Sequence, residues 1–274
     1  MNAIPSMTFS RYANAFADGM RLDDLRQSVP AVFAQSAHES LSAKYTFIPT
    51  ARVLTGLMSA GFVPVEARQA QTRKGSVVHA RHVVRLRRRF ETVALRDAVP
   101  EVVFLNSHDG TSAYQLRLGL FRAVCTNGLI VSVGAFPTFC VAHRGDVVHE
   151  VVTAALEASE RFEVLASRVE RMEARPLDGR EQLRFAASAL ELRYPDLSRA
   201  GIQPSQLLGV RRTEDTTSDL WTVFNRVQEN LLGGGLVRRT ETGRLSRTRR
   251  ITSIREDVRL NGRLWELAEE VLAG

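Results

Sequence analysis

The chain changes its hydrophobic rhythm near residue 148. Before that point apolar residues come in short runs that alternate with polar ones, the period of strands; beyond it they recur at helical spacing. Two helical pieces precede the strands. Leu22, Leu25, Val29, Val32 and Phe33 form a stripe interrupted by Pro30. Val53, Leu54, Leu57 and Met58 form a second, with Thr50 placed to cap its start and Gly61 to stop it. A strand is predicted over 62–71, then a turn at Lys74-Gly75. In the run 76–88, Val78, Ala80, His82, Val84 and Leu86 share one face, and His79, Arg81, Val83, Arg85 and Arg87 the other. An antiparallel sheet with one packed face and one wet face reads this way, and here the wet face is expected to be cationic.

Further strands are expected at 102–105, 114–120, 130–133 and 138–142. Asn106-Ser107-His108-Asp109-Gly110 makes the turn before the second of these, and Arg144-Gly145-Asp146 the turn after the last. Then Val151, Ala155, Leu156, Phe162, Leu165, Val169 and Met172 predict one long helix over 149–172. Asp178 is placed to cap a second helix, a third spans 217–232 and stops at Gly233-Gly234-Gly235, and the last runs over 254–272. The fold class expected is α+β. An antiparallel β-meander with packed helices occupies residues 1–148, and a mainly helical part follows over 149–274, with a loop or hairpin at 237–250.

Composition narrows the function classes. With 274 residues and 44% hydrophobic content the chain has material for a real core, which excludes a disordered polymer. No run approaches the ~18 apolar residues of a membrane span, and residues 1–11 lack the pattern of a signal peptide. Cys125 and Cys140 are too few for a disulfide framework or a four-ligand zinc site, so the expected compartment is the reduced cytoplasm. The charge is +7, and only Lys44 and Lys74 of the 37 basic residues are lysine. Arginine is the better fork for phosphate, although a GC-rich coding sequence produces the same bias. The arginines concentrate in two places: Arg81, Arg85, Arg87 and Arg117 on predicted strands, and Arg238, Arg239, Arg244, Arg247, Arg249 and Arg250 in the late segment. That distribution points to nucleic acid, unless acidic neighbours such as Glu241, Glu256 and Asp257 neutralise it. Aromatic residues near the basic strand are few, with Phe90 and Tyr114 the nearest.

Recognised catalytic signatures are missing. His108 with Asp109 suits acid–base work or a turn, and Cys125 suits a nucleophile or a buried apolar position. His79, His82, His143 and His149 have no metal-site spacing. No metal or cofactor is expected.

Several phrases form an ordered set. They are Asn106-Ser107-His108-Asp109-Gly110, then Phe121-Arg122-x-Val124-Cys125-x-Asn127-Gly128-Leu129. Later come Arg211-Arg212-x-Glu214-Asp215, Leu220-Trp221-x-x-x-Asn225-x-x-Gln228-Glu229-Asn230, and Leu260-Asn261-x-x-Leu264-Trp265. Over residues 40–272 this set resembles the phage/plasmid-like proteins of domain of unknown function 932. The resemblance implies a mobile element and brings no established activity. Asn106, His108, Asp109, Gly110, Arg122, Asn127, Gly128, Arg212, Asp215, Trp221, Asn225 and Glu229 are its motif positions, expected to fix structure. In order of elements the chain is also similar to the single-strand-annealing recombination proteins of phages, which implies a ring-shaped homo-oligomer with DNA in a basic groove. The leading expectation is therefore binding, extended to annealing, of single-stranded DNA. Arg81, Arg85, Arg87 and Arg117 would contact one strand and the arginines of 238–250 a second. Two alternatives remain open: a protein that inhibits a host defence enzyme, and a nuclease or hydrolase using His108, Asp109 and the cluster 211–215.

Overall fold

The computed structural model describes residues 19–41, 45–71, 76–89, 98–122, 128–131, 138–141, 146–196, 201–240 and 242–274. Contacts divide the chain into two units, residues 1–126 with 134–162, and residues 127–133 with 163–274. Phe90, Cys125, Asn127, His143, Glu241 and the Lys74-Gly75 and Arg144-Gly145 turns lie outside the described residues.

The first unit is built on an antiparallel sheet. Strands β1 (Phe62–Gln69), β2 (His82–Arg88), β3 (Ala98–Asn106) and β4 (Tyr114–Arg122) pair in sequence order, and β6 (Phe139–Val141) adds to β4. The alternation read from the sequence sets the packed face. Val84, Leu86, Val102, Phe104, Leu116, Leu118 and Leu120 are all buried. Helix α2 (Thr50–Ser59) packs on α3 (Val147–Ser159), which in turn contacts β3 and β4. Helix α3 thus belongs with the sheet although it follows residue 148. The stripe interrupted by Pro30 resolves into α1 (Leu22–Ser28) and a 3-10 turn over Pro30–Phe33, because proline fits a first turn but not a helix interior.

Two expected elements differ. The strand over 76–88 begins only at His82, since Val77–His79 form a 3-10 turn that period-two counting cannot distinguish from extended chain. The single helix over 149–172 is two, α3 and α4 (Phe162–Glu173), parted at Glu160-Arg161 with neither glycine nor proline to announce it.

The second unit contains β5 (Gly128–Val131), α4, α5 (Gly179–Arg193), α6 (Leu220–Gly233), a ribbon of β7 (Val237–Arg239) and β8 (Leu245–Arg247), and α7 (Ile254–Ala273). Asp178 caps α5 as expected, its carboxylate accepting from the Arg180 and Glu181 amides at 2.8 Å each. The core is aromatic. Trp221 stacks on Phe224 at 5.8 Å, and Trp265 meets the same ring edge-on at 6.2 Å. Gly234, in the left-handed region at φ 69°, ends α6 and lets the chain pass so close to Arg249 that a Cβ there would sit 2.6 Å from the Arg249 carbonyl carbon.

Candidate nucleic-acid interface

The two arginine concentrations end in opposite electrostatic states. On the sheet, Arg85 is only 7% exposed. Its Nε donates to Glu101 Oε2 at 2.6 Å, its Nη1 bonds Glu66, and its guanidinium lies 4.1 Å from the centre of the Phe121 ring. Arg87 donates from Nε to the other Glu101 oxygen at 2.8 Å. Strand register explains the grouping: Glu66 is paired across from Arg85 on β1, and β3 supplies Glu101 on the other side. Burial pulls the Arg85 pKa down, but the two carboxylates outweigh it and hold the pKa above the ordinary value. Val83, Val103 and Leu105 on the same face are buried too. The wet cationic face expected for this strand does not form; a neutralised, buried ion cluster takes its place. Arg81 precedes the strand and donates to the Thr111 carbonyl at 2.8 Å. Arg117 is half-buried, bonds Gln115 at 3.1 Å, and burial lowers its pKa.

The ribbon is the reverse case. Its two strands pair Val237 with Arg247, Arg238 with Ser246, and Arg239 with Leu245. Arg239, Arg244, Arg247, Arg249 and Arg250 are exposed, and Arg238 half-buried. Their bonds go to neutral groups: Arg238 to the Ser246 hydroxyl at 3.1 Å, Arg239 to the Gly243 carbonyl at 3.1 Å, and Arg247 to the Gly235 carbonyl at 3.2 Å. Among the described residues no carboxylate pairs with any of the six. Glu256 and Asp257, expected as neutralisers, sit instead in the first turn of α7, where Glu256 pairs with Arg259 at 2.7 Å. Backbone approach seats the ribbon. The Arg239 amide donates to Gly201 O at 3.2 Å, and Gly201 takes φ +62° where a Cβ would fall 2.1 Å from Arg239 O.

A third cluster gathers residues far apart in the sequence. Thr50 is the first residue of α2 and does not cap it; its hydroxyl serves a buried hub instead. His82 Nδ1 lies 2.9 Å from the Ala80 carbonyl, which can only accept, so that nitrogen carries the proton and Nε2 accepts from the Thr50 hydroxyl at 2.9 Å. With its one proton committed, Thr50 Oγ1 accepts from Asn106 Nδ2 and His108 Nε2, both at 3.0 Å. All four residues are buried, and burial pushes the His82 pKa down to about 4. A hydroxyl facing a histidine resembles an activated nucleophile, but substrate cannot reach an atom with no exposure. Asp109 works separately: Oδ1 takes the Thr111 amide at 3.0 Å and hydroxyl at 2.6 Å, a turn closed by Gly110 at φ 77°. These bonds hold the Asp109 pKa below the ordinary carboxylate value despite partial burial. Neither residue thus stands free for acid–base work. Among the described residues no group of three metal-ligating side chains comes together, and no helix is long and apolar enough to cross a membrane.

The later phrases interlock in the second unit. Arg212 forks onto Glu229 at 3.2 and 2.7 Å, Arg211 donates to Asn230 at 2.6 Å, and Gln228 to Asn261 at 2.7 Å. Asn225 bonds the Trp221 carbonyl at 2.7 Å, and Asp215 and Arg122 are buried. Gly128 begins β5. The signature positions are thus largely the fasteners of each unit. The family Domain of unknown function (DUF932) matches residues 37–254, most of the chain. The chain belongs to the DUF932 family. Relatives of this DUF932 chain include two from Escherichia coli (strain K12). UPF0380 protein YafZ is 41% identical over 251 residues, covering 91% of this chain and 90% of the relative. UPF0380 protein YfjQ is 40% identical with the same coverage. No solved structure matches.

Proposed function

We infer that this DUF932 chain is a cytoplasmic DNA-binding protein of the phage or plasmid type, and that it holds single-stranded DNA by its phosphates through the arginine ribbon. The observation that carries the reading is the difference in pairing. Arginines 85 and 87 are consumed by Glu101 and Glu66, whereas the six arginines of the ribbon have no carboxylate partner among the described residues. Unpaired guanidinia at the surface exchange condensed counterions for protein contacts, which is the source of sequence-independent affinity. The ladder is three residue pairs long, so the charge is held on a narrow support. A flexible single strand can follow that support, and because a two-stranded ribbon also fits a duplex major groove, the preference for single strands rests on the likeness to phage annealing proteins. Annealing by a homo-oligomer, as the likeness to phage recombination proteins implies, extends the same reading.

Fluorescence anisotropy of a labelled oligonucleotide and of its duplex, at several salt concentrations, tests the inference. The triple variant Arg239→Gln, Arg244→Gln, Arg247→Gln should flatten the slope of log affinity against log salt by about two, since each single-strand phosphate contact contributes ~0.7. Arg85→Gln with Arg87→Gln should leave that slope unchanged. An unchanged slope in the ribbon variant refutes the assignment. Light scattering with complementary strands present then reports whether pairing accompanies assembly.

A further inference from the structure

The ribbon offers more than charge. Thr248 N donates to Leu236 O at 2.9 Å and Thr240 N to Arg244 O at 2.8 Å. In an antiparallel ladder hydrogen-bonded pairs alternate with pairs whose N–H and C=O groups turn outward. Stepping by two from 236–248 and 240–244 makes Arg238–Ser246 a bonded pair, and turns the groups of Val237, Arg239, Leu245 and Arg247 outward. On the β7 side two of these outward groups are engaged. The Arg239 amide reaches Gly201 O at 3.2 Å, and Val237 O accepts from Gln206 at 2.9 Å. On the β8 side, among the described residues, the outward N–H and C=O groups of Leu245 and Arg247 meet nothing. The same parity puts Val237, Arg239, Leu245 and Arg247 on one face, where Leu245 is 62% and Val237 41% exposed.

We propose that the open edge of β8 is a docking strand for an extended acidic polypeptide segment. Such a segment adds a strand to the ribbon and competes with DNA for the arginines. Three features select this occupant over nucleic acid. Outward carbonyls at Leu245 and Arg247 require a hydrogen-bond donor in strand register, which a phosphate backbone lacks and a peptide backbone supplies. Exposed Leu245 and Val237 share one face with Arg239 and Arg247, so a partner strand meets apolar surface beside positive charge there. Arg244, Arg247, Arg249 and Arg250, exposed on and next to β8, repel a second copy of the same edge and favour carboxylates. The competition rests on the DNA reading of the ribbon; the strand pairing does not.

The probe is a labelled peptide of alternating glutamate and valine, titrated by anisotropy against the whole protein. Its partner probe carries N-methyl groups on every second backbone amide, keeping the charge while blocking strand pairing. The N-methylated peptide should bind at least about tenfold more weakly. Leu245→Pro removes the outward N–H without touching a ladder bond or an arginine. It should weaken the alternating peptide by at least about tenfold while leaving oligonucleotide affinity within about twofold. Equal binding of the two peptides to the unaltered protein, or no binding of the alternating peptide at low salt, overturns the proposal. Where Leu245→Pro also loses oligonucleotide affinity, the peptide pair on the unaltered protein decides. Oligonucleotide binding measured without peptide stands or falls separately, so failure of the edge and failure of the DNA reading are distinguishable.

Discussion

Replacing Thr50 by valine keeps the side-chain shape and removes one oxygen. That oxygen is the meeting point of three partners: it donates to His82 Nε2 and accepts from Asn106 Nδ2 and His108 Nε2. All of these groups are buried, so none can turn to water when the hydroxyl goes. Leaving a buried donor or acceptor unmatched costs ~1–3 kcal/mol, so three of them cost about 3 kcal/mol at the least. That is a large share of the ~5–15 kcal/mol by which a folded chain exceeds its unfolded state. Thr50→Ser is the control, because it keeps the hydroxyl and removes a methyl worth about 1 kcal/mol. Tryptophan fluorescence is the wrong probe, since Trp221 and Trp265 both lie in the second unit. Hydrogen exchange of the β2 and β3 amides reads the affected sheet directly. Thr50→Val should accelerate their exchange by at least about a hundredfold, and Thr50→Ser by about tenfold or less. If the two variants exchange alike, the hub does not hold the sheet as described.

The same hub predicts an acid dependence. His82 titrates near 6.5 when unfolded and near 4 when buried, so the unfolded chain binds the extra proton between those values. Stability is therefore lost as pH falls from 6.5 towards 4, by about 3 kcal/mol from this group. Urea midpoints followed by circular dichroism from pH 7 to 4 should fall less steeply in His82→Gln, and parallel curves would refute the assignment. Gly201→Ala forces a left-handed residue and places a Cβ 2.1 Å from Arg239 O. The left-handed conformation alone should cost about 1–2 kcal/mol and the clash adds to it, seen as faster exchange of the Arg239 amide, with no change expected at β2.

What the sequence reveals follows the reach of each interaction. The Asp178 cap and the Asp109-Gly110 turn are satisfied within three residues, and both are legible as residue patterns. The alternation from Tyr114 to Leu120 is equally local and gives the packed face correctly. The state of Arg85 is decided by Glu66 and Glu101, which strand pairing brings from 19 and 16 residues away. Counting charges along one strand cannot see them. Thr50 follows the same rule: a local capping preference gives way to partners 32, 56 and 58 residues distant. One cue to the hub was available, namely that His82 falls on an apolar strand face where a polar side chain requires a buried partner. The arginines of 238–250 were grouped by proximity in sequence alone, and what that grouping could not supply is the parity that turns one edge outward.

The seat of the ribbon is made of main chain. Gly201 meets the Arg239 backbone, Gly234 meets the Arg249 backbone, and the Arg193 guanidinium grips the Arg249 carbonyl at 2.6 Å. None of these contacts reads the identity of a ribbon side chain. The outer face is consequently an interchangeable tip: replacing the side chains at residues 237, 239, 245 and 247 leaves these backbone contacts in place. In this architecture the surface of the ribbon can change without the fold being renegotiated.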